Sequence, residues 1–171
     1  VEIALQPTDV FGAEIAKPFV RKLRLKFPER MSDFAREFNG YDAAVWEDEA
    51  VGKYEGLIQL IDYNETLDLH RPMMLIAQNN HFDASFLDQW FWEYEWKTGV
   101  GRRDIFHRNV LDIPSMAWGN HIFKTKGRDL CAIFGVDEEP KPHTALNGVQ
   151  QNIRLYKTIL AENATHLRDA A

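Results

Sequence analysis

Two short segments of the chain carry residue types that could do chemistry, and the first lies between an apolar run and a helical pattern. Residues 72–77 are continuously apolar, the polar tetrad Gln78-Asn79-Asn80-His81 follows, and Asp83 comes at the start of the helical pattern. Ligands of open α/β sheets bind at the carboxyl ends of strands, so Asp83 is placed to be a metal-binding carboxylate. An aspartate in a first helical turn is also favoured by the helix dipole alone.

The second segment is centred on His143. This histidine follows the loop at residues 137–141 and directly precedes a long helical pattern. A histidine exposed enough to titrate near neutrality can act as a general base. Alternatively, His143 is an ordinary histidine of the surface or of a helix-capping region. Neither this segment nor the segment of Asp83 decides the function by itself.

Taken in chain order, these segments resemble a known family. The order is an apolar strand, the pattern Asn-x-x-Phe-Asp-x-x-Phe-Leu, a strand ending in Asp112, the run at residues 130–136, and His-x-Ala-Leu at the start of a final helix. This order is similar to the DEDDh 3′-5′ exonucleases, a family that includes ribonuclease T, oligoribonuclease and the proofreading subunit of bacterial DNA polymerase III. The similarity spans residues 55–165, and the segment that begins at Val1 is similar to the family's second strand.

The resemblance implies a site and a reaction. It implies that Asp83 is a metal ligand, that His143 is the general base, and that Asn79 fills a small polar position beside the substrate. The implied chemistry is hydrolysis of phosphodiester bonds at the 3′ end of single-stranded DNA or RNA. The family uses two Mg²⁺ or Mn²⁺ ions about 3.5–4 Å apart, and such hard ions prefer carboxylate oxygens.

The sequence also departs from the family pattern. The family has an Asp-x-Glu pair on its first strand, and either that strand is missing from this chain or Ala4 and Gln6 occupy the acidic positions. Gly148 stands where the family has its last aspartate, and Gln78 replaces a histidine. One metal-binding carboxylate and the base remain, so we expect weak metal binding and little or no activity.

Two other interpretations stay open. The chain is either a catalytically dead exonuclease-like domain that binds nucleic acid or protein, or an unrelated α/β domain that is similar by chance. An Asp-x-Glu pair encoded upstream of Val1 would favour the enzyme, and its absence would favour the binding module.

The elements that must position these residues alternate between strands and helices. Strands are predicted at residues 1–8, 18–27, 72–77 and 109–113, and the third is expected to be covered on both faces. Helices are predicted at 33–38, 49–62 and 82–98, from Pro114, around 130–134, and at 145–167, where Leu146, Val149, Ile153, Tyr156 and Leu160 form the apolar stripe. This pattern predicts one α/β domain over residues 1–171, with a ribonuclease-H-like mixed sheet, helices on both faces, and its first strand missing.

Composition supports an ordinary globular domain. The 171 residues are 45% hydrophobic and 27% charged, and no apolar run is long enough to span a bilayer. The single cysteine, Cys131, excludes an internal disulfide and a cysteine-based zinc cluster, and it is typical of a reducing compartment, so we expect a cytoplasmic protein with no membrane partner. The net charge of −6 argues against a passive nucleic-acid binder but not against an enzyme that holds phosphate through metal ions.

Three surface features allow further expectations. The helix that carries Trp90, Trp92 and Trp96 is expected to divide its aromatic residues between the core and a partner surface, which favours a homodimer or larger complex over base stacking. The alternating Lys22, Arg24 and Lys26 are expected to form a solvated strand face rather than a phosphate site. Asp112 is expected to shape the site without binding metal.

Overall fold

The computed structural model describes the backbone of residues 1–169 and the side chains of residues 1–163. The order of its elements is β1 (Glu2–Leu5), β2 (Phe19–Lys22), a 3-10 turn (Pro28–Arg30), α1 (Asp33–Phe38), α2 (Ala43–Glu49), α3 (Lys53–Thr66), β3 (Met73–Ala77), α4 (Asn80–Thr98), α5 (Arg102–Ile105), β4 (Phe106–Asp112), α6 (Ile113–Gly119), α7 (Gly127–Phe134) and α8 (Ala145–Asp169). Strands and helices alternate through the second half, as expected. The class is mixed α/β.

The strands form two separate pairs. β1 and β2 are antiparallel, with Leu5 opposite Phe19, whereas β3 and β4 are parallel, with Ala77 opposite Asp112. Among the described residues, β1 and β3 each hydrogen-bond to one neighbouring strand only. The structure therefore has the predicted α/β class and contains both parallel and antiparallel strands. The two pairs are not joined into the single mixed sheet that was predicted.

One hydrophobic core nevertheless serves both strand pairs. It contains Ile3 and Phe19 from the first pair together with Leu75 and Phe106 from the second. A second cluster lies beneath α8 and combines side chains from α6, α7 and α8: Ile113, Ala117, Leu130, Cys131, Leu155 and Ile159. Helix α8 contacts both β1 and β3, so it spans the region between the two pairs.

Several helix ends follow from local sequence signals. The Ser32 hydroxyl accepts a hydrogen bond from the Ala35 N–H and begins α1, as predicted. Gly99 ends α4 with φ 68°, a left-handed conformation that glycine adopts without steric cost. Pro114 lies in the first turn of α6, where its missing N–H costs no helical hydrogen bond.

The helix predicted at residues 49–62 is wrong at its start. Residues 50–52 separate α2 from α3, and Val51 forms an isolated parallel bridge with Leu23. Its N–H donates to the Lys22 carbonyl at 3.0 Å, and its carbonyl accepts from the Arg24 N–H at 2.9 Å. A β-branched residue that continues the edge of β2 thus interrupts an otherwise helical pattern.

The apolar faces differ in part from those predicted. On α8 the fully buried residues are Leu155 and Ile159, while Leu146 and Val149 are half-buried, because the helix packs against α6 and α7 on one side as well as against β1. Met74 on β3 is 49% exposed, so this strand is not covered on both faces. No helix in the described part of the chain is long and apolar enough to span a membrane.

Candidate functional site

The carboxyl ends of β3 and β4 meet at one edge because the two strands are parallel. Ala77, the last residue of β3, lies opposite Asp112, the last residue of β4. Helix α4 begins at Asn80, three residues after β3 ends, and Asp83 lies in its first turn. The edge where Asp83 was predicted is therefore where the structure places it.

Asn80 holds this edge together. Its side-chain Nδ2 donates to the carbonyls of Leu75 at 2.8 Å and Leu111 at 3.0 Å, so one amide bridges both strands. Its backbone N–H donates to Asp112 Oδ1 at 3.4 Å. Asn80 is fully buried, and its Oδ1 has no hydrogen-bond partner. Sequence reasoning included Asn80 only as one member of the polar tetrad and did not single it out.

Asp112 has structural partners of its own. Its Oδ2 accepts hydrogen bonds from the N–H of Ser115 at 3.1 Å and from its hydroxyl at 2.9 Å, which caps the start of α6. Both carboxylate oxygens are thus used to organise the two helix starts.

Asn79 and Asp83 face solvent beside this edge. Asn79 adopts φ 58° and ψ 44°, a left-handed conformation that asparagine tolerates well, and its side chain makes no capping hydrogen bond. Asp83 is exposed, yet protein atoms around it replace part of the hydration of its carboxylate. This desolvation raises the pKa of Asp83 above its ordinary value, and a hydrogen bond to its own backbone N–H acts in the opposite direction.

His143 lies in a separate cluster ahead of α8. Its Nδ1 is 2.8 Å from both Oε1 and Oε2 of Glu139, and its backbone N–H donates to the carbonyl of Phe38 at 3.1 Å. The Glu139 backbone N–H in turn donates to Oε1 of the buried Gln151 at 2.7 Å. Sequence reasoning missed Glu139, because it lies in a loop, where a spacing of four residues does not predict contact.

Aromatic rings continue this cluster toward solvent. The Phe38 ring stacks on the His143 imidazole with centroids 5.0 Å apart, and Phe34 stacks on Phe38 at 5.7 Å. Phe34 is 74% exposed, so the row of three rings ends in an open aromatic surface. The four-residue spacing of Phe34 and Phe38 on α1 could have indicated their contact, but nothing local links them to His143.

The first turn of α8 adjoins the same cluster. Glu2 at the start of β1 accepts a hydrogen bond from the Ala145 N–H at 2.7 Å through Oε2. A Cβ atom built on Gly148 would lie 3.2 Å from His143 Cε1 and 3.5 Å from Glu139 Oε2. A side chain at position 148 would therefore face the Glu139–His143 pair.

The structure thus forms two groups of candidate residues. Asn79 and Asp83 lie at the β3–β4 edge, whereas His143 and Glu139 lie together ahead of α8, beside Gly148 in its first turn. Among side chains of residues 1–163, no hydrogen bond or ion pair joins Asp83 to His143. Within the same residues, no group of three or more histidine, cysteine, aspartate or glutamate side chains is arranged to hold a metal ion.

The positions that depart from the family pattern have structural roles here. Ala4 is buried in β1, and Gln6 donates through Nε2 to the carbonyl of Ala16 at 2.6 Å, which ties down the loop after β1. Gln78 donates to the carbonyl of Thr125 at 3.1 Å and lies against Gly127, at the start of α7.

Comparison with known proteins does not extend these observations. No protein-family model matches the chain, and no curated protein sequence matches it.

Proposed function

We propose that the chain is an exonuclease-like domain of the 3′-5′ type, and that in its present form it is incomplete or inactive. The observation that carries this proposal is the stack of Phe34, Phe38 and His143, in which an imidazole bonded to a carboxylate adjoins an exposed aromatic ring. A general base beside a stacking surface suits hydrolysis at the end of a single strand of DNA or RNA, because the base can take a proton from water while the ring stacks a nucleobase.

Each candidate residue has a role in this proposal. His143 is the general base, because its Nδ1 is engaged by Glu139 and its Nε2 has no hydrogen-bond partner among the described residues. Asp83 is the remaining metal-binding carboxylate, and Asn79 is the polar residue that meets the substrate. The order of these residues along the chain, shared with the DEDDh family, supports the assignment.

The residues present do not fit a pair of Mg²⁺ or Mn²⁺ ions. Asp83 is the sole carboxylate at the four matched positions, since Gly148 has no side chain, Ala4 is a buried apolar residue and Gln6 is a neutral amide. A divalent ion that must exchange hydration for protein ligands binds weakly to a single carboxylate. Hydrolysis by two metal ions therefore needs further metal ligands, which these residues do not supply.

The strand arrangement supports the idea that such ligands belong to a further strand. Within the residues that the structure describes, β1 and β3 each have one edge without a strand neighbour, both contribute to the same core, and both contact α8. A strand that carries Asp-x-Glu would pair with these edges and join the two pairs into one mixed sheet of ribonuclease-H type. In this proposal it would precede Val1.

The decisive experiment is degradation of a 3′-labelled single-stranded oligonucleotide in Mn²⁺. The chain as it stands and the Gly148→Asp variant should release little label. A chain that combines Gly148→Asp with an added first strand bearing Asp-x-Glu should release it, and a chelator should stop the release. Robust chelator-sensitive release by the unmodified chain would show that the ligands are elsewhere, and an inert restored chain would contradict the enzyme assignment.

A second candidate function is a binding module without hydrolysis. It is favoured by the same open ring of Phe34, which can stack a base without metal, and by the loss of carboxylates at matched positions. In that case the oligonucleotide should bind equally well with and without a chelator.

The outer face of α4 supports a proposal about partners. Trp90 is buried, whereas Trp92 and Trp96 are 77% and 78% exposed, which confirms that the helix divides its aromatic residues between core and surface. We propose that the exposed pair contributes to a homodimer or larger complex. Sedimentation of the wild type and of Trp92→Ala/Trp96→Ala tests this, because a contact through these side chains predicts a smaller species for the variant.

A further inference from the structure

Glu139 makes the closest polar contact of the candidate base. Both of its carboxylate oxygens lie 2.8 Å from His143 Nδ1. The two side chains are 22% and 31% exposed, so the pair is shielded from water on most of its surface. A charge-assisted hydrogen bond in such a place is stronger than one on an open surface.

Three contacts from two neighbouring residues hold this pair in place. The buried Gln151 accepts a hydrogen bond from the Glu139 backbone N–H, Phe38 stacks on the imidazole, and the Phe38 carbonyl accepts from the His143 backbone N–H. Gln151 belongs to α8, which follows the pair in the sequence, and Phe38 belongs to α1, which precedes it. The positions of Glu139 and His143 therefore depend on these two helices as well as on their own loop.

The carboxylate determines which imidazole nitrogen carries the proton. An anionic oxygen at hydrogen-bond distance from Nδ1 favours the form with the proton on Nδ1, because the other form would direct two lone pairs at each other. Nε2 is then the unprotonated, basic nitrogen. The same arrangement of carboxylate and imidazole orients the base in serine hydrolases.

Gly148 lies beside this contact. A Cβ atom at position 148 would lie 3.5 Å from Glu139 Oε2, so a carboxylate extended from that position would approach a second carboxylate directly. In this chain the negative charge beside the imidazole comes from the preceding loop.

We propose that Glu139 is a positioning residue for His143: its carboxylate holds the proton on Nδ1 and leaves Nε2 as the base. Its meaning for catalysis rests on the proposed function. The tautomer itself does not depend on that function.

The experiment is a long-range ¹H–¹⁵N spectrum of the 171-residue chain, recorded at a pH where His143 is neutral. The wild type should show His143 mainly with the proton on Nδ1. Glu139→Ala should shift it to a mixture of both forms, and Glu139→Gln, which retains an acceptor oxygen, should keep most of the Nδ1–H form. Glu138→Ala is the matched control, since it removes a charge from the same loop and should leave the spectrum unchanged.

Two results would overturn the proposal. One is a wild-type His143 with the proton mainly on Nε2. The other is a Glu139→Ala spectrum of His143 that equals the wild-type spectrum while the chain remains folded.

Activity provides a separate readout in the restored chain described above. Glu139→Ala should lower kcat by about tenfold or more, with little change in KM, because orientation of the base affects the transition state more than substrate binding. An inert restored chain would contradict the proposed exonuclease function, and the tautomer spectrum would still decide the role of Glu139.

Discussion

The backbone N–H of Asn80 donates to the carboxylate of Asp112, and through this bond the first turn of α4 is attached to the end of β4. The Asn80 side chain adds two more hydrogen bonds, to carbonyls of β3 and of β4. A single buried residue therefore fixes the distance between the two strand ends beside which Asp83 lies. The candidate metal ligand depends on Asn80 for its position.

Replacement of Asn80 by alanine should lower the free energy of unfolding by about 2 kcal/mol. Two buried carbonyls would lose their donor, and the loss is partly offset because the unpaired Oδ1 is removed as well. Urea unfolding followed by tryptophan fluorescence measures the difference. Asn79→Gly is the control, because glycine adopts the left-handed backbone of that position and should change stability by only a few tenths of a kcal/mol. Equal effects of the two substitutions would contradict this role of Asn80.

Patterns within a continuous segment predicted much of the fold. The apolar run of β3, the aromatic spacing of α4 and the capping serine of α1 each act over a few residues, and each element forms where the sequence predicts it. The break at Val51 was missed because its cause is a bridge to Leu23, 28 positions earlier in the chain. Helical periodicity contains no information about that contact.

The candidate site shows the same limit. The position of Asp83 follows from the strand before it and was predictable. The surroundings of His143 were not, because Phe38 comes from α1 and Gln151 from the second turn of α8. Such contacts join distant parts of the chain through tertiary packing, and a single sequence does not specify them.

Tyr156 should make stability sensitive to alkaline pH. Its hydroxyl donates to the Val10 carbonyl at 2.9 Å, and burial, followed by the charge of Asp9, raises its pKa above the ordinary value of 10.0. The folded state thus favours the neutral phenol. Below pH 10 the phenol is neutral in both states, and its contribution to the free energy of unfolding is fully present. Above pH 10 the phenol ionises first in the unfolded chain, so the free energy of unfolding falls as pH rises.

The variant Tyr156→Phe separates these effects. It should lose about 1 kcal/mol at pH 7, because the hydrogen bond to Val10 is removed and one carbonyl is left without its donor. The difference in unfolding free energy between wild type and Tyr156→Phe should narrow between pH 10 and 11, because only the wild type has this phenol to ionise. Urea unfolding at pH 7, 10 and 11 measures it. A difference that stays constant over this range would show that Tyr156 does not titrate in the unfolding equilibrium.

Gly148 and Glu139 should be energetically coupled. In Gly148→Asp a second carboxylate would approach Glu139, whereas Gly148→Asn adds a side chain of similar size without the charge. We expect Gly148→Asp to be less stable than Gly148→Asn by about 1 kcal/mol at low salt. The difference should vanish in a Glu139→Gln background, and a double-mutant cycle of unfolding free energies measures it. A cycle that closes to zero would mean that the two side chains point apart.

Phe34 should be the main contact of this chain with single-stranded nucleic acid. It is 74% exposed and is supported from behind by Phe38, with the two rings inclined by 21°. A supported, open ring can stack a base at little entropic cost, and such stacking is worth about 1–3 kcal/mol per base. Phe34→Ala should therefore weaken binding of a short oligonucleotide by about 5-fold to 150-fold, as measured by fluorescence anisotropy at one fixed salt concentration.

Trp92→Ala is the matched control for this measurement, because Trp92 is 77% exposed but lies on α4 and not in the row of rings at His143. It removes a comparable aromatic surface and should leave the oligonucleotide affinity unchanged. The reverse result, weaker binding for Trp92→Ala and unchanged binding for Phe34→Ala, would move the nucleic-acid surface to α4. It would also separate that surface from the row of rings at His143, and the proposed exonuclease site would then lose its substrate contact at Phe34.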